Sequence, residues 1–139
     1  MPVKPDAGKV KVVDASAMGA LIFAEPDAET VADGLTGGVL AAPALLWFEM
    51  ANVCRKKLER YPDRRAELLE AFELSQRIPV RLIEVDLLQV VYLAEETGLT
   101  AYDASYLWLT RNIDGTLVTL DRMMKNAAVQ VNVKAWDIT

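Results

Sequence analysis

The sequence predicts an α/β domain three layers deep, with helices on both faces of a central, mostly parallel sheet. Three observations lead there. Short β-rich apolar runs alternate with helix-like segments from Val10 onward, and strands separated by helices pair in parallel through crossover connections. No internal repeat, low-complexity tract or linker divides the 139 residues, which suffice for one hydrophobic core. Acidic residues close or follow several apolar runs, where open α/β sheets bind their ligands.

Residues 1–9 carry two prolines and no apolar signal-peptide core, so they read as a flexible tail before a single domain spanning 10–139. Residues 10–14 form a β-rich strand closed by Asp14. A helix over 16–23 breaks near Glu25-Pro26, and a short helix follows over 28–34. Gly37-Gly38 turns the chain into a short strand at 39–42. Pro43 suits the first turn of a long helix reaching about residue 61. Pro62-Asp63 interrupts it, and a second helix carries Leu68, Leu69 and Phe72 at helical spacing. After Pro79 the alternation over 80–85 predicts a half-buried strand. Asp86 is placed to cap a helix over 87–96 that stops at Thr97-Gly98. A helix over 103–111, a turn at 112–115, a strand over 116–120, a short helix over 121–127 and a final strand over 129–133 complete the series.

Composition removes whole classes of chemistry. The chain has no histidine, so it holds no Ser-His-Asp triad, no histidine zinc site and no imidazole acid–base pair. Its one cysteine, Cys54, excludes an internal disulfide and a CxxC clamp, and reads as a small buried apolar residue. Carboxylates, hydroxyls, Lys, Arg and an oxygen-ligated metal remain. No apolar stretch approaches the roughly 20 residues of a membrane span, and the reduced thiol and absent leader point to the cytoplasm. The net charge of −5 opposes a broad nucleic-acid surface. Locally, however, positive charge gathers at Arg55, Lys56, Lys57, Arg60, Arg64 and Arg65, and again at Arg122 and Lys125. Such clusters by themselves describe a solvated helix face.

Four acids sit beside core-forming segments, where a carboxylate costs solvation energy unless a cation pairs with it. Asp14 and Asp121 each fall at a strand end before a helix, and Asp103 near a helix start, so all three belong to one edge of the sheet. Each of these alone is explained as a helix cap. Glu49 is not, because Leu45, Leu46 and Val53 surround it at helical spacing, with Asn52 one turn on as a possible partner. Thr119, two residues before Asp121, and Ser16, two beyond Asp14, lie within reach of the same pocket. The acids Glu25, Asp27, Glu67, Glu70, Glu73, Glu95 and Glu96 read as solvent-facing, Asp86 and Asp114 as cap and turn. Trp47 and Trp108 read as core or interface anchors.

The motifs Val-Val-Asp14-Ala-Ser16, Pro-Ala-Leu-Leu-Trp-Phe-Glu49-Met-Ala-Asn52-Val, Tyr-Asp103-Ala-Ser-Tyr-Leu-Trp-Leu and Leu-Val-Thr119-Leu-Asp121 together resemble the PIN domain. The closest resemblance within it is to VapC-type toxins of toxin–antitoxin pairs. It spans about residues 10–136, with four motifs in the family's order. The resemblance implies a Mg²⁺- or Mn²⁺-dependent endoribonuclease in which Asp14, Glu49, Asp103 and Asp121 hold metal directly or through water. It implies that Thr119 and Ser16 orient a ligand or a water. It further implies a homodimer restrained by a small antitoxin protein. An expected RNA-guiding role falls to Arg55, Lys56, Arg60 and Arg122. The rival readings are a receiver-like or other non-catalytic α/β module with an acidic Mg²⁺ pocket that binds RNA or protein, and a nuclease for structured DNA.

Overall fold

A computed structural model describes residues 10–136. Segment 1–9, expected to be a flexible tail, lies outside these residues. The chain runs β1 (Val10–Val13), α1 (Ala15–Ile22), α2 (Ala28–Leu35), β2 (Val39–Pro43), α3 (Leu45–Arg60), a 3₁₀ turn (Pro62–Arg64), α4 (Arg65–Ser75), β3 (Val80–Ile83), α5 (Leu87–Thr97), α6 (Ala101–Asn112), β4 (Thr116–Val118) and α7 (Arg122–Gln130). The sheet order is β3-β2-β1-β4. Every pairing between these strands is parallel, with Val12 opposite both Ala41 and Leu117. The three-layer α/β/α architecture is therefore present.

Strand order sets the position of the site. From β1 the chain steps outward to β2 and β3, then returns to place β4 on the other side of β1. The direction reverses between β1 and β4, and at such a switch point the loops leaving the carboxyl ends diverge and open a crevice. Asp14 follows β1 and Asp121 lies just beyond β4. Helix α6 lies against β1, β2 and β4, while α1, α3 and α4 pack as a second group. The sheet interior is built from Val12, Val13, Ala41, Ala42, Leu117 and Val118, all fully buried. Met18, Leu46, Met50, Tyr106, Leu107 and Leu109 extend the core from the helices.

Several boundaries differ from expectation. Pro43 ends β2, and Ala44 precedes a helix beginning at Leu45. The expected strand at 129–133 is absent: α7 continues to Gln130, burying Met124, Ala127 and Ala128 at helical spacing, while Val129 is 77% exposed. The chain then turns through Asn132 in the left-handed region, and only Ala135 bridges to Leu117. Beyond that bridge the Trp136 ring packs over Gly34, where a Cβ would stand 2.6 Å from the indole. Cys54 is buried, with its thiol directed at the Leu68 carbonyl, and Trp47 and Trp108 pack partly buried against the core. At the end of α5, Gly98 takes the left-handed conformation expected of it.

Candidate active site

Asp14 is 5% exposed and caps α1 from an extended backbone. Its Oδ1 accepts from the Ala17 amide at 3.0 Å and the Ser16 hydroxyl at 2.7 Å, and its Oδ2 accepts from the Thr119 hydroxyl. Thr119 is fully buried and also receives the Asp121 amide at 3.0 Å, while Ser16 Oγ receives the Leu120 amide at 2.9 Å. The loop after β4 is thus stitched to the loop after β1 through two hydroxyls. The strand ends at Val118, so Thr119 and Asp121 come together through this turn and not through continued strand geometry. Asp121 then caps α7, its Oδ1 accepting from the Met124 amide at 3.2 Å.

Glu49 projects from α3, half-buried. The partner suggested by sequence was Asn52; the observed one is Tyr106 on α6, whose hydroxyl donates to Oε1 at 2.6 Å. Asp103 lies in the first turn of α6, which Thr100 caps by accepting the Asp103 amide at 3.1 Å. Its carboxylate is therefore not spent on capping. An open groove of about 420 Å³ adjoins Glu49, lined also by Leu45, Phe48, Asn52 and Tyr102.

The four acids share one electrostatic field. Burial pushes the Asp14 carboxyl up, its hydrogen bonds from Thr119, Ser16 and Ala17 pull it back, and the nearby Asp121 charge raises it again. Burial raises Glu49 against the pull of Tyr106, and the charges of Asp103 and Asp14 add to the rise. Asp103 is raised by burial and then by Asp121. Every one of the four acts on another or is acted upon, which carboxylates at opposite ends of a domain would not show. Among the described residues the ion pairs are Lys57–Glu25 and Arg64–Glu67, so no Lys or Arg neutralises this group.

An uncompensated set of hard oxygen donors suits a hard cation. Among the described residues no three acids stand close enough to enclose an ion by themselves. Mg²⁺ dehydrates reluctantly and is commonly held by one or two carboxylates with waters completing the shell.

The basic candidates occupy other positions. Arg55, Lys56 and Arg60 project exposed from the second half of α3, and Arg122 opens α7 beside Asp121, also exposed. Sequence reading missed Tyr106. Its signal was its place three residues after Asp103, on the same helical face, in a helix already assigned to the acidic edge.

A parallel α/β sheet with acidic residues beside its topological switch point defines an α/β domain with an acidic edge. Residues 11–130 match the family described as PIN domain. The chain belongs to the PIN-domain family. It is 33% identical over 118 residues to ribonuclease VapC3 of Pyrobaculum aerophilum, covering 81% of this chain and 90% of that protein. The crystal structure of PAE2754 from the same organism superposes with a TM-score of 0.70 at 26% identity, covering 89% of this chain and 83% of that one.

Proposed function

We propose that the chain is a metal-dependent endoribonuclease of the VapC type, the toxin of a type II toxin–antitoxin pair. The observation that carries this is the hydrogen-bonded junction of Asp14, Ser16, Thr119 and Asp121 at the β1/β4 switch point, with Glu49 and Asp103 beside it. The relationship to ribonuclease VapC3 supports RNA as the substrate. In this reading the four acids hold Mg²⁺ or Mn²⁺ directly or through water. A bound divalent cation would acidify a coordinated water and offset charge on the phosphate.

The remaining tasks belong to the chain. Thr119 and Ser16 fix the Asp14 carboxylate in one orientation. Tyr106 holds Oε1 of Glu49, leaving Oε2 to accept a proton from the attacking water. The water oxygen bonds to phosphorus in line with the departing 3′-oxygen, the P–O3′ bond breaks, and the 3′-oxygen takes a proton from solvent, giving a 5′-phosphate and a 3′-hydroxyl. Asn52, exposed on the groove beside Glu49, is placed to meet the sugar-phosphate chain.

An antitoxin protein and a second copy of the chain are the proposed protein partners. Phe48, Leu87, Leu88, Val91 and Tyr92 are exposed near the acidic edge and along α5, an apolar area that suits protein contact. No described helix is long and apolar enough to cross a membrane, in keeping with the proposed cytoplasmic location. The deciding experiment is inducible expression of the wild type beside Asp14→Asn, with cellular RNA 5′ ends mapped afterwards. New 5′-phosphate ends in the wild type alone support the reading and name the substrate. Identical maps overturn it.

A further inference from the structure

The second half of α3 carries a built cleft that the acidic site does not explain. It encloses about 270 Å³ and is lined by Glu25, Val53, Lys56, Lys57, Arg60 and Tyr61. Its cations fall into two kinds. Lys57 is committed to the fold: its ammonium pairs with Glu25 at 2.8 Å and lies 5.3 Å from the centre of the Phe23 ring. Neighbouring Arg64 is tied to Glu67 at 3.0 Å. Lys56 and Arg60 make no ion pair among the described residues, and both are exposed. The Arg60 guanidinium rests 5.5 Å from the centre of the Tyr61 ring, which limits its freedom before any ligand arrives.

The cleft also has a fixed relation to the carboxylates. Glu49, Lys56 and Arg60 are seven and four residues apart in one helix, so they share a face. Lys56 lies about 10 Å and Arg60 about 16 Å along the axis from Glu49. Asn52 on the acidic groove and Val53 on the basic cleft are adjacent, so the two depressions meet on α3. In a chain of net charge −5, an acidic pocket repels the polyanion it must engage. Unpaired cations displaced along the same helix supply the missing attraction without neutralising the pocket.

We infer that this cleft is a phosphodiester subsite for an RNA strand, in which Lys56 and Arg60 bind phosphates flanking the one at the acidic groove. The inference rests on the nuclease reading and specifies where its substrate runs. Arginine meets phosphate through paired N–H donors and lysine as a point charge, so the two residues suit successive groups of one backbone.

The test is equilibrium binding of a fluorescent short single-stranded RNA to the uncleaving Asp14→Asn protein over a range of salt. Two double variants are compared on that background. Lys56→Gln with Arg60→Gln removes the cleft cations; Arg77→Gln with Arg81→Gln removes equal charge at the opposite end of the sheet. Losing two phosphate contacts lowers the slope of log affinity against log salt by about 1.4, at about 0.7 per contact with a single strand. The control pair should leave that slope nearly unchanged. Equal loss in both pairs, or no loss in the first, overturns the subsite while leaving the nuclease reading intact. Failure of the Asp14→Asn parent to bind, with no RNA cleavage by the wild type, overturns both. Melting curves for all variants exclude misfolding as the cause.

Discussion

The Tyr106 hydroxyl donates to Oε1 of Glu49 at 2.6 Å, across 57 residues of chain. Tyr106 is 1% exposed, so its phenol cannot exchange this partner for bulk water. The bond favours the charged form of Glu49, opposing burial, which is the larger influence, and two like charges, which together leave the carboxyl raised. Burial, then the Glu49 carboxylate, and after it Asp14 and Asp103 push the phenol far above its ordinary value of 10.0, so it remains a donor. A hydrogen bond to a charged group contributes about 1.5–3 kcal/mol. Tyr106→Phe should therefore weaken Mn²⁺ binding and slow RNA cleavage by at least about tenfold, with an unchanged circular dichroism spectrum. Wild-type affinity and rate in that variant would remove Tyr106 from the site.

The acidic cluster should oppose folding when no cation is present. Burial raises Asp103 above its ordinary value of 3.8 and Glu49 above 4.5, so the native state binds more protons than the unfolded chain just above those values. Stability is then favoured at low pH and falls as pH rises through the raised native values. In EDTA at neutral pH, Asp103→Asn should melt at a higher temperature than wild type, and the difference should close near pH 3.5. Adding Mn²⁺ should reverse the order. Equal melting temperatures in EDTA at neutral pH would argue against mutual repulsion.

Thr119 separates the role of a hydroxyl from that of its shape. Thr119→Val keeps the volume but leaves the buried Asp14 Oδ2 and the Asp121 amide without their partner. The expected cost is about 1–3 kcal/mol in urea unfolding, together with loss of activity. Thr119→Ser restores the donor and should recover most of the loss. A serine variant as impaired as the valine would assign the position to packing.

At Gly34, a methyl group would enter the space filled by the Trp136 indole, 2.6 Å away. Gly34→Ala should destabilise the protein by about 1–3 kcal/mol by displacing that ring, despite alanine's better helix propensity. Combining it with Trp136→Ala should cost less than the two changes added separately, measured as a thermodynamic cycle. Strict additivity would show that the ring and the glycine are not coupled.

The fold was readable because most of its signals are local. The cap at Asp86, the stop at Gly98 and the alternation of short apolar runs with helices depend on neighbours in sequence, and the structure reproduces each. The run 129–133 misled because Val129, Val131 and Val133 alternate as a strand does, while the deciding fact was tertiary: Ala127 and Ala128 bury a helical face. The acids were legible as neighbours of core segments, although of the four only Asp14 is buried. Their supports were legible only in part. Ser16 and Thr119 lie within two residues of acids they serve, whereas Tyr106 reaches Glu49 from another helix, and no local spacing links the two.

The bond from Thr119 to Asp14 has a temporal consequence. It joins residues 105 apart, and the sheet edge that carries it exists only after β4 has joined β1. A chain emerging from the ribosome can form its first three strands while the fourth carboxylate and the hydroxyl that orients the first are still unmade. Contacts of such long sequence separation slow folding, because the intervening loop must be closed before they form. In the proposed nuclease reading, the chain acquires its complete acidic site only near the end of its own synthesis.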